Sequence, residues 1–451
     1  MFYRKAWEKL LSWKNQKDKK ALCIIGARQI GKTTLVRQFG RESYECFAEI
    51  NFIADKKASE IFSGELSAES IITNLTAYLQ RPLKKGKTLI LLDEIQECPE
   101  ARTAIKFLVE DGRFDYIETG SMLGVRYKEV RSYPVGFEEI YRMYPMDFEE
   151  FITANGVQES TLKALERCFD GMSVSQSVHS TMLKLFYAYI VVGGMPEAVD
   201  IYVQTHDIGR VIEKQREIIE LYRLDIAKYA SGSDKIKIRA IFDSIPSQLN
   251  DKNRRFILSD IDKNGRQLRY SESFEWLCEA GVALACRNVS EPRLPLELNA
   301  KHSLFKLFMG DTGLLCAACM ANIQFDILQG NVEINMGSIL ENVMAQQLRS
   351  NGFELYYFDS KKYGEVDFVL RNGMDADIVE IKSGKDYKKH TALDKVRAVS
   401  EWKFGRSVVF CGGNAERGDV LYLPWYMVMF FRPQKAPESM IYEVDISGLV
   451  Q

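Results

Sequence analysis

The chain reads Ala21-Leu22-Cys23-Ile24-Ile25 and then Gly26-Ala27-Arg28-Gln29-Ile30-Gly31-Lys32-Thr33-Thr34. A short apolar run, a turn bounded by two glycines and an amphipathic continuation from Leu35 form the GxxxxGK[ST] pattern in its required setting of buried strand, turn and helix. Gly26 and Gly31 let backbone N–H groups curl around phosphate oxygens. The helix opening near Lys32 points its positive end at the same anion. At this spacing Lys32 reaches the β- and γ-phosphates, and the Thr33 hydroxyl can ligate Mg²⁺.

A second run supports the same fold. Thr88-Leu89-Ile90-Leu91-Leu92-Asp93-Glu94 is an apolar strand that ends in two carboxylates. Continuous apolar runs of this kind are buried parallel strands, and ligands of such sheets bind at the strands' C-terminal ends. Asp93 then falls where Mg²⁺ would sit. Glu94 is placed to polarise an attacking water as a general base. Together the two motifs predict an α/β P-loop fold that binds ATP with Mg²⁺. A third strand, Phe114–Glu118, runs into Thr119-Gly120-Ser121. Thr119, at the strand end, is preferred over Ser121 as the polar group that senses the γ-phosphate. Arg113, Arg126 and Arg131 flank this strand as candidates for an arginine supplied to a neighbouring subunit, so an oligomer is compatible with the sequence.

Three further runs carry a family resemblance: Arg131–Gly136 continuing through Tyr144-Pro145-Met146-Asp147-Phe148-Glu149-Glu150-Phe151; Tyr189–Val199 with Gly193-Gly194-Met195-Pro196; and Lys306–Leu315 with Asp311-Thr312-Gly313. With the nucleotide motifs, these resemble the prokaryotic family of AAA-type ATPases (AAA_14) fused to a domain of unknown function of the DUF4143 type. The resemblance spans nearly the whole chain. It implies an AAA-like core with a helical lid, and it defines biological role poorly. It also suggests that Gly194-Met195-Pro196 is the lid turn that approaches the nucleotide.

The middle of the chain has helical apolar spacing over Leu162–Phe169, Met182–Val192 and Val211–Tyr222. Asp234–Leu315 looks like a winged helix, with helices at Lys235–Leu249 and Ser271–Ala280 and strands at Val282–Cys286 and Leu304–Met309. Lys252, Arg254, Arg255, Arg266 and Arg269 are its candidates for DNA contact.

From Gly337 the pattern becomes helix (Gly337–Leu348), strand (Phe353–Phe358), strand (Gly364–Leu370), hairpin turn at Asn372-Gly373 and strand (Asp377–Lys382). This looks like the PD-(D/E)xK nuclease core. Side chains two apart on a strand share a face, so Glu380 and Lys382 point together, and Asp367 can lie across from them. Asp367 and Glu380 would hold one or two Mg²⁺ for phosphodiester displacement, and Lys382 would orient or deprotonate the attacking water. Glu341 matches the fold's accessory acidic residue, on the preceding helix. Lys385, Lys388, Lys389 and His390 could meet a phosphate backbone.

With 451 residues, at roughly 100–200 residues per domain, two to four domains are expected. The reading divides them into an ATPase domain (1–150), a helical lid (151–232), a winged helix (233–332) and a nuclease-like domain (333–451). The formal charge of −2 gives no global argument for nucleic acid. Nine scattered cysteines fit reduced thiols, with Cys316 and Cys319 a helical turn apart in a core and not at a zinc site. No signal peptide is legible and no apolar run nears the ~20 residues of a membrane span, so a cytoplasmic location is expected. The sequence therefore predicts an ATPase whose nucleotide state controls a DNA-directed or nuclease-like module. The alternative is an ATP-operated switch that recruits a protein partner and carries a catalytically silent nuclease-like scaffold.

Overall fold

Strands β1 (Ala21–Ile25), β2 (Cys46–Asn51), β3 (Thr88–Asp93), β4 (Asp115–Gly120) and β5 (Glu138–Arg142) all run parallel, in the order β2-β3-β4-β1-β5. The computed structural model describes residues 2–120, 134–229, 234–250, 255–262, 269–319, 323–330, 336–434 and 441–444. Every residue of β1 and β3 is buried, because helices cover both faces of a parallel sheet. Alternation divides the side chains between two layers. Leu89 and Leu91 join Leu10 and Trp13 of α1 (Ala6–Lys14) and Phe39 of α2 (Lys32–Ser43) on one face. Ile90 and Leu92 pack on the other against α3 (Ala68–Leu79) and α4 (Pro99–Asp111). With all strands parallel, the turn after β1 and the ends of β3 and β4 meet along one edge.

Helices α5 (Phe148–Ala154), α6 (Glu159–Arg167), α7 (Gln176–Val192), α8 (Pro196–Thr205), α9 (Ile208–Tyr229), α10 (Asp234–Asn250) and α11 (Ser271–Glu279) follow. Asp147 and Glu150 form a reciprocal capping box at the start of α5. Arg4 ties this box to the glycine turn, since its guanidinium donates to Glu150 Oε2 (3.1 Å), the Ile30 carbonyl (2.8 Å) and the Tyr144 carbonyl (2.7 Å).

The second sheet has eight strands, β6 (Ala283–Val289), β7 (Ala300–Met309), β8 (Tyr356–Ser360), β9 (Gly364–Asn372), β10 (Asp375–Ile381), β11 (Phe404–Cys411), β12 (Glu416–Arg417) and β13 (Leu421–Pro424), in the order β12-β13-β11-β10-β9-β8-β6-β7. Helices α12 (Leu296–Asn299), α13 (Thr312–Ala318), α14 (Ile323–Leu328), α15 (Met336–Ser350) and α16 (Thr391–Arg397) complete the chain. The strands expected at Val282–Cys286 and Leu304–Met309 are present as β6 and β7. Their hairpin forms one edge of the C-terminal sheet, because β6 pairs in parallel with β8. A parallel pair needs a long crossover, and here α13–α15 supply it. One hydrophobic cluster runs from Leu22 and Leu89 of the first sheet through α7, α9 and α13 to Val408 and Phe410 of the second.

The junction is polar at its centre. Buried Asp311 accepts from the backbone N–H of Gly194 (2.6 Å), that of Leu314 (3.1 Å) and the amide of Gln346 (3.3 Å). Gln346 and Gln347 donate to the Tyr189 hydroxyl, which donates to the Met146 carbonyl. The backbones touch at glycines: a Cβ on Gly194 would stand 2.0 Å from the Met146 oxygen, and one on Gly313 would stand 2.6 Å from that of Val192. The glycine-rich runs at 193–194 and 311–313 are thus two halves of one contact. Removing the Asp311 carboxylate by Asp311→Ala strands two buried N–H donors. The expected cost is about 2–4 kcal/mol, seen as a lower urea midpoint by tryptophan fluorescence, and an unchanged midpoint would contradict the role assigned to this network.

Candidate functional site

The turn after β1 needs unusual backbone. Gln29 (φ 62°) and Gly31 (φ 88°) both lie in the left-handed region, and Gly31 caps α2. Lys32 Nζ donates to the carbonyls of Gly26 (2.9 Å) and Ala27 (2.7 Å), so its ammonium lies folded over its own loop. Burial is the main cause that lowers the Lys32 amine to about 8. Ile30 is buried beneath the loop and Thr34 is exposed on the first turn of α2.

Asp93 collects three groups. Its Oδ1 accepts from the hydroxyls of Thr33 (2.8 Å) and Thr119, and its Oδ2 accepts from Asn51 Nδ2 (2.7 Å). The register explains this, since Asp93 pairs with Asn51 on β2 and with Thr119 on β4. Glu94 follows with φ 57°, a strained position for a non-glycine residue, and accepts from the Gln96 amide. Asn51 and Gln96 escaped the sequence reading. Asn51 depends on a neighbouring strand that local pattern does not reveal.

The loop is also held from the helical side. Arg28 pairs with Asp225 of α9 (2.8 Å), and the Tyr222 hydroxyl donates to the Arg28 carbonyl (3.1 Å). Pro196 Cγ lies 3.8 Å from where a Cβ on Gly31 would be, so the lid turn lies close to the loop. Gly281 (φ 75°), just ahead of β6, packs on Ala27, whose N would be 3.0 Å from a Cβ there. Arg113 lies ahead of β4, at the edge away from Thr119, and pairs with Asp111 (2.6 Å). Ser121, Arg126 and Arg131 lie outside the described residues, as do Lys252, Arg254 and Arg266. Of the other basic candidates, Arg255 pairs with Asp359, Lys388 with Glu416 and Lys389 with Asp386. His390 contacts the Tyr422 hydroxyl.

A second polar group lies on the C-terminal sheet. Asp367 Oδ2 accepts from the Ile381 N–H (2.7 Å), which fixes β9 against β10 where Glu380 and Lys382 project. Lys382 Nζ donates to Glu380 Oε1 (2.7 Å). The other Glu380 oxygen is buried with no hydrogen-bond partner among the described residues. Burial, then the charge of Asp367, pushes the Glu380 carboxyl up to about 8, against the pull of Lys382. Among the described residues, the carboxylates that offer oxygens within 4.8 Å of one another are Glu341, Glu365 and Asp367. Glu365 was missed, although its place two residues before Asp367 on one strand signals a shared face. Lys306 was also missed as a site residue. Its side chain is fully buried and its ammonium bridges Glu341 Oε2 (3.0 Å) and Glu365 Oε1. A single lysine within the apolar run Leu304–Met309 was the available signal.

With this geometry in view, an AAA domain family matches residues 18–152 and a DUF4143 domain of unknown function matches residues 336–426. The chain joins an AAA domain to a DUF4143 domain. A further domain of unknown function, DUF8612, matches residues 183–324 between them. Among solved structures, the Walker-type ATPase PABY2304 of Pyrococcus abyssi is similar at 14 % identity and a TM-score of 0.42, over 71 % of this chain and 96 % of that one. The Aeropyrum pernix Orc1 protein, solved in complex with DNA, gives 14 % and 0.31 over 70 % and 92 %. Thermotoga maritima RuvB gives 14 % and 0.29 over 62 % and 89 %. No curated protein matches the chain. Among the described residues no helix is long and apolar enough to cross a membrane.

The AAA domain's lysine gives a pH prediction. Burial leaves Lys32 losing its proton as pH rises through about 8. A triphosphate favours the charged amine and raises that value, so binding above pH 8 must take up a proton. ATP affinity is expected to fall by up to about tenfold per pH unit above 8. Calorimetry in two buffers of different ionisation enthalpy should show the proton uptake, and its absence at pH 8.5 would rule out this origin.

Proposed function

We propose that the chain hydrolyses ATP with Mg²⁺ and that its nucleotide state controls the C-terminal DUF4143 domain, which acts on DNA as a nuclease-like module. The observation that carries the ATPase half is the Asp93 carboxylate, shared by Thr33 and Thr119 at the strand edge beside the Gly26–Thr34 loop. In this reading the backbone of residues 26–34 cradles the phosphates and Lys32 leaves its loop carbonyls for the β- and γ-phosphates. Thr33 and Asp93 hold Mg²⁺, which would neutralise charge on the transferred phosphoryl group. Glu94 polarises the attacking water. Thr119, through Asp93, reports whether the γ-phosphate is present.

The control half is supported by Gly281. It touches the loop at Ala27 and leads within two residues into β6, a strand of the C-terminal sheet. A loop that tightens around phosphate therefore presses on the root of the β6–β7 hairpin. In the C-terminal domain Asp367 and Glu380 are the proposed metal ligands and Lys382 the group that orients water. The buried Glu380 oxygen, without a hydrogen-bond partner among the described residues, suits a cation ligand. A divalent ion there would stabilise charge on an in-line phosphodiester displacement.

The second reading, an ATP-operated switch that recruits a protein and keeps the C-terminal domain as a scaffold, is favoured by one observation. Lys306 already pairs with both Glu341 and Glu365.

Lys32→Ala should abolish ATP binding. Glu94→Gln should bind ATP normally and hydrolyse it about 10²–10⁴-fold more slowly. Nucleotide affinity and phosphate release check both, and tight ATP binding by Lys32→Ala would sink the site assignment. Supercoiled plasmid with Mg²⁺ or Mn²⁺, with and without ATP, tests the other half. Cleavage by wild type and not by Lys382→Ala, changing with ATP, is the expected result. Intact plasmid under every condition, with ATP hydrolysis preserved, would leave the protein-recruiting switch.

A further inference from the structure

A lysine side chain with no solvent exposure is unusual, because an ammonium is costly to bury unless paired. Lys306 pairs with two carboxylates and lies against an aromatic ring. The carboxylates are those of Glu341 and Glu365, and its ammonium stands 5.0 Å from the centre of the Tyr357 ring. The pair it makes with Glu341 is as buried as the lysine itself. Among the described residues, these two carboxylates and Asp367 are the three whose oxygens converge within 4.8 Å. Glu380, joined through Asp367 and the Ile381 N–H to the same strand pair, offers a buried oxygen that nothing among the described residues satisfies. The group is therefore built for more positive charge than Lys382 supplies, and an internal ammonium already takes part of that place.

We propose that Lys306 is an internal counter-ion that competes with a divalent cation for the Glu341–Glu365–Asp367 cluster. A hard cation such as Mg²⁺ or Mn²⁺ seeks carboxylate oxygens at about 2.0–2.2 Å. It cannot share oxygens with an ammonium held beside them without strong like-charge repulsion. Metal enters fully only when Lys306 withdraws. Lys306 lies on β7, opposite Cys286 of β6, in the hairpin whose root Gly281 packs on Ala27. The competing cation thus stands on the hairpin whose root packs on the nucleotide loop. This rests on the reading of Asp367 as a metal ligand.

The test is calorimetric titration of Mn²⁺ into the nucleotide-free full-length chain. Wild type, Lys306→Met and Lys306→Met/Asp367→Asn are compared, with circular dichroism as the check on folding. Lys306→Met should bind Mn²⁺ at least about tenfold more tightly than wild type, and Mn²⁺ should raise its melting temperature more. The double variant should lose the gain. Should Lys306→Met not fold, Lys306→Met/Glu341→Gln removes the ammonium with one carboxylate and should still bind more tightly than wild type. A folded Lys306 variant within twofold of a wild type that binds through Asp367 overturns the competition and leaves the metal site standing. No Mn²⁺ uptake by any variant overturns both.

Discussion

Asp311 lies where the AAA domain, the helices that follow it and the C-terminal sheet meet, with backbone N–H groups of two segments and the Gln346 amide directed at one buried carboxylate. Burial pushes its carboxyl up to about 6, in spite of those donors. A group in that position admits little variation around it. Any shift of α13 against the Gly193–Gly194 turn leaves a donor or an acceptor unsatisfied in the interior, where the penalty is greatest. The apolar cluster that spans both sheets is non-directional. It accounts for cohesion, and the polar network accounts for register. Tyr189, held by Gln346, Gln347 and the Met146 carbonyl, extends that register to the start of α5.

The nucleotide loop is consequently part of the junction. Arg4 reaches it from just ahead of α1, Tyr222 and Asp225 from α9, Pro196 from the lid turn and Gly281 from the root of β6. A loop held by four elements cannot rearrange around phosphates without loading them. The clearest load falls on Gly281, because its contact is backbone against backbone and no flexible side chain lies between to absorb movement. The strained φ of Gln29 and Glu94 is concentrated at the same edge, where a rigid surround can sustain it.

Local patterns made much of this legible. The run Ala21–Thr34 specifies strand, turn and helix by itself, and the apolar stretch Thr88–Asp93 can only be a buried strand; both elements are present within a residue or two. The same holds for α15, β9 and β10, where Asp367 and Glu380 stand on adjacent strands and Lys382 directly follows β10. What local pattern could not convey is pairing at long range. Nothing in Ala283–Val289 says that its parallel partner lies near Tyr356, so the β6–β7 hairpin reads as a wing until the register is known. Asn51 on Asp93 is hidden for the same reason. Glu365 had a readable signal in its i, i+2 relation to Asp367. Lys306 had a weaker one, because a lysine in a strand is usually read as facing solvent.

Lys306 bears on the chemistry proposed for the C-terminal domain. A carboxylate cluster in a folded interior must be neutralised by protons, by a fixed cation or by a metal. This chain uses the first two in different places. Glu380 is raised to about 8 and so tends to hold a proton, while Glu341 and Glu365 are matched by an ammonium. Both arrangements ease repulsion among buried carboxylates. Each is displaced in a different way: a proton leaves to solvent, whereas the Lys306 ammonium leaves only if β7 moves or its side chain finds another course. Of the two, only the second sits on the hairpin whose root rests on the nucleotide loop.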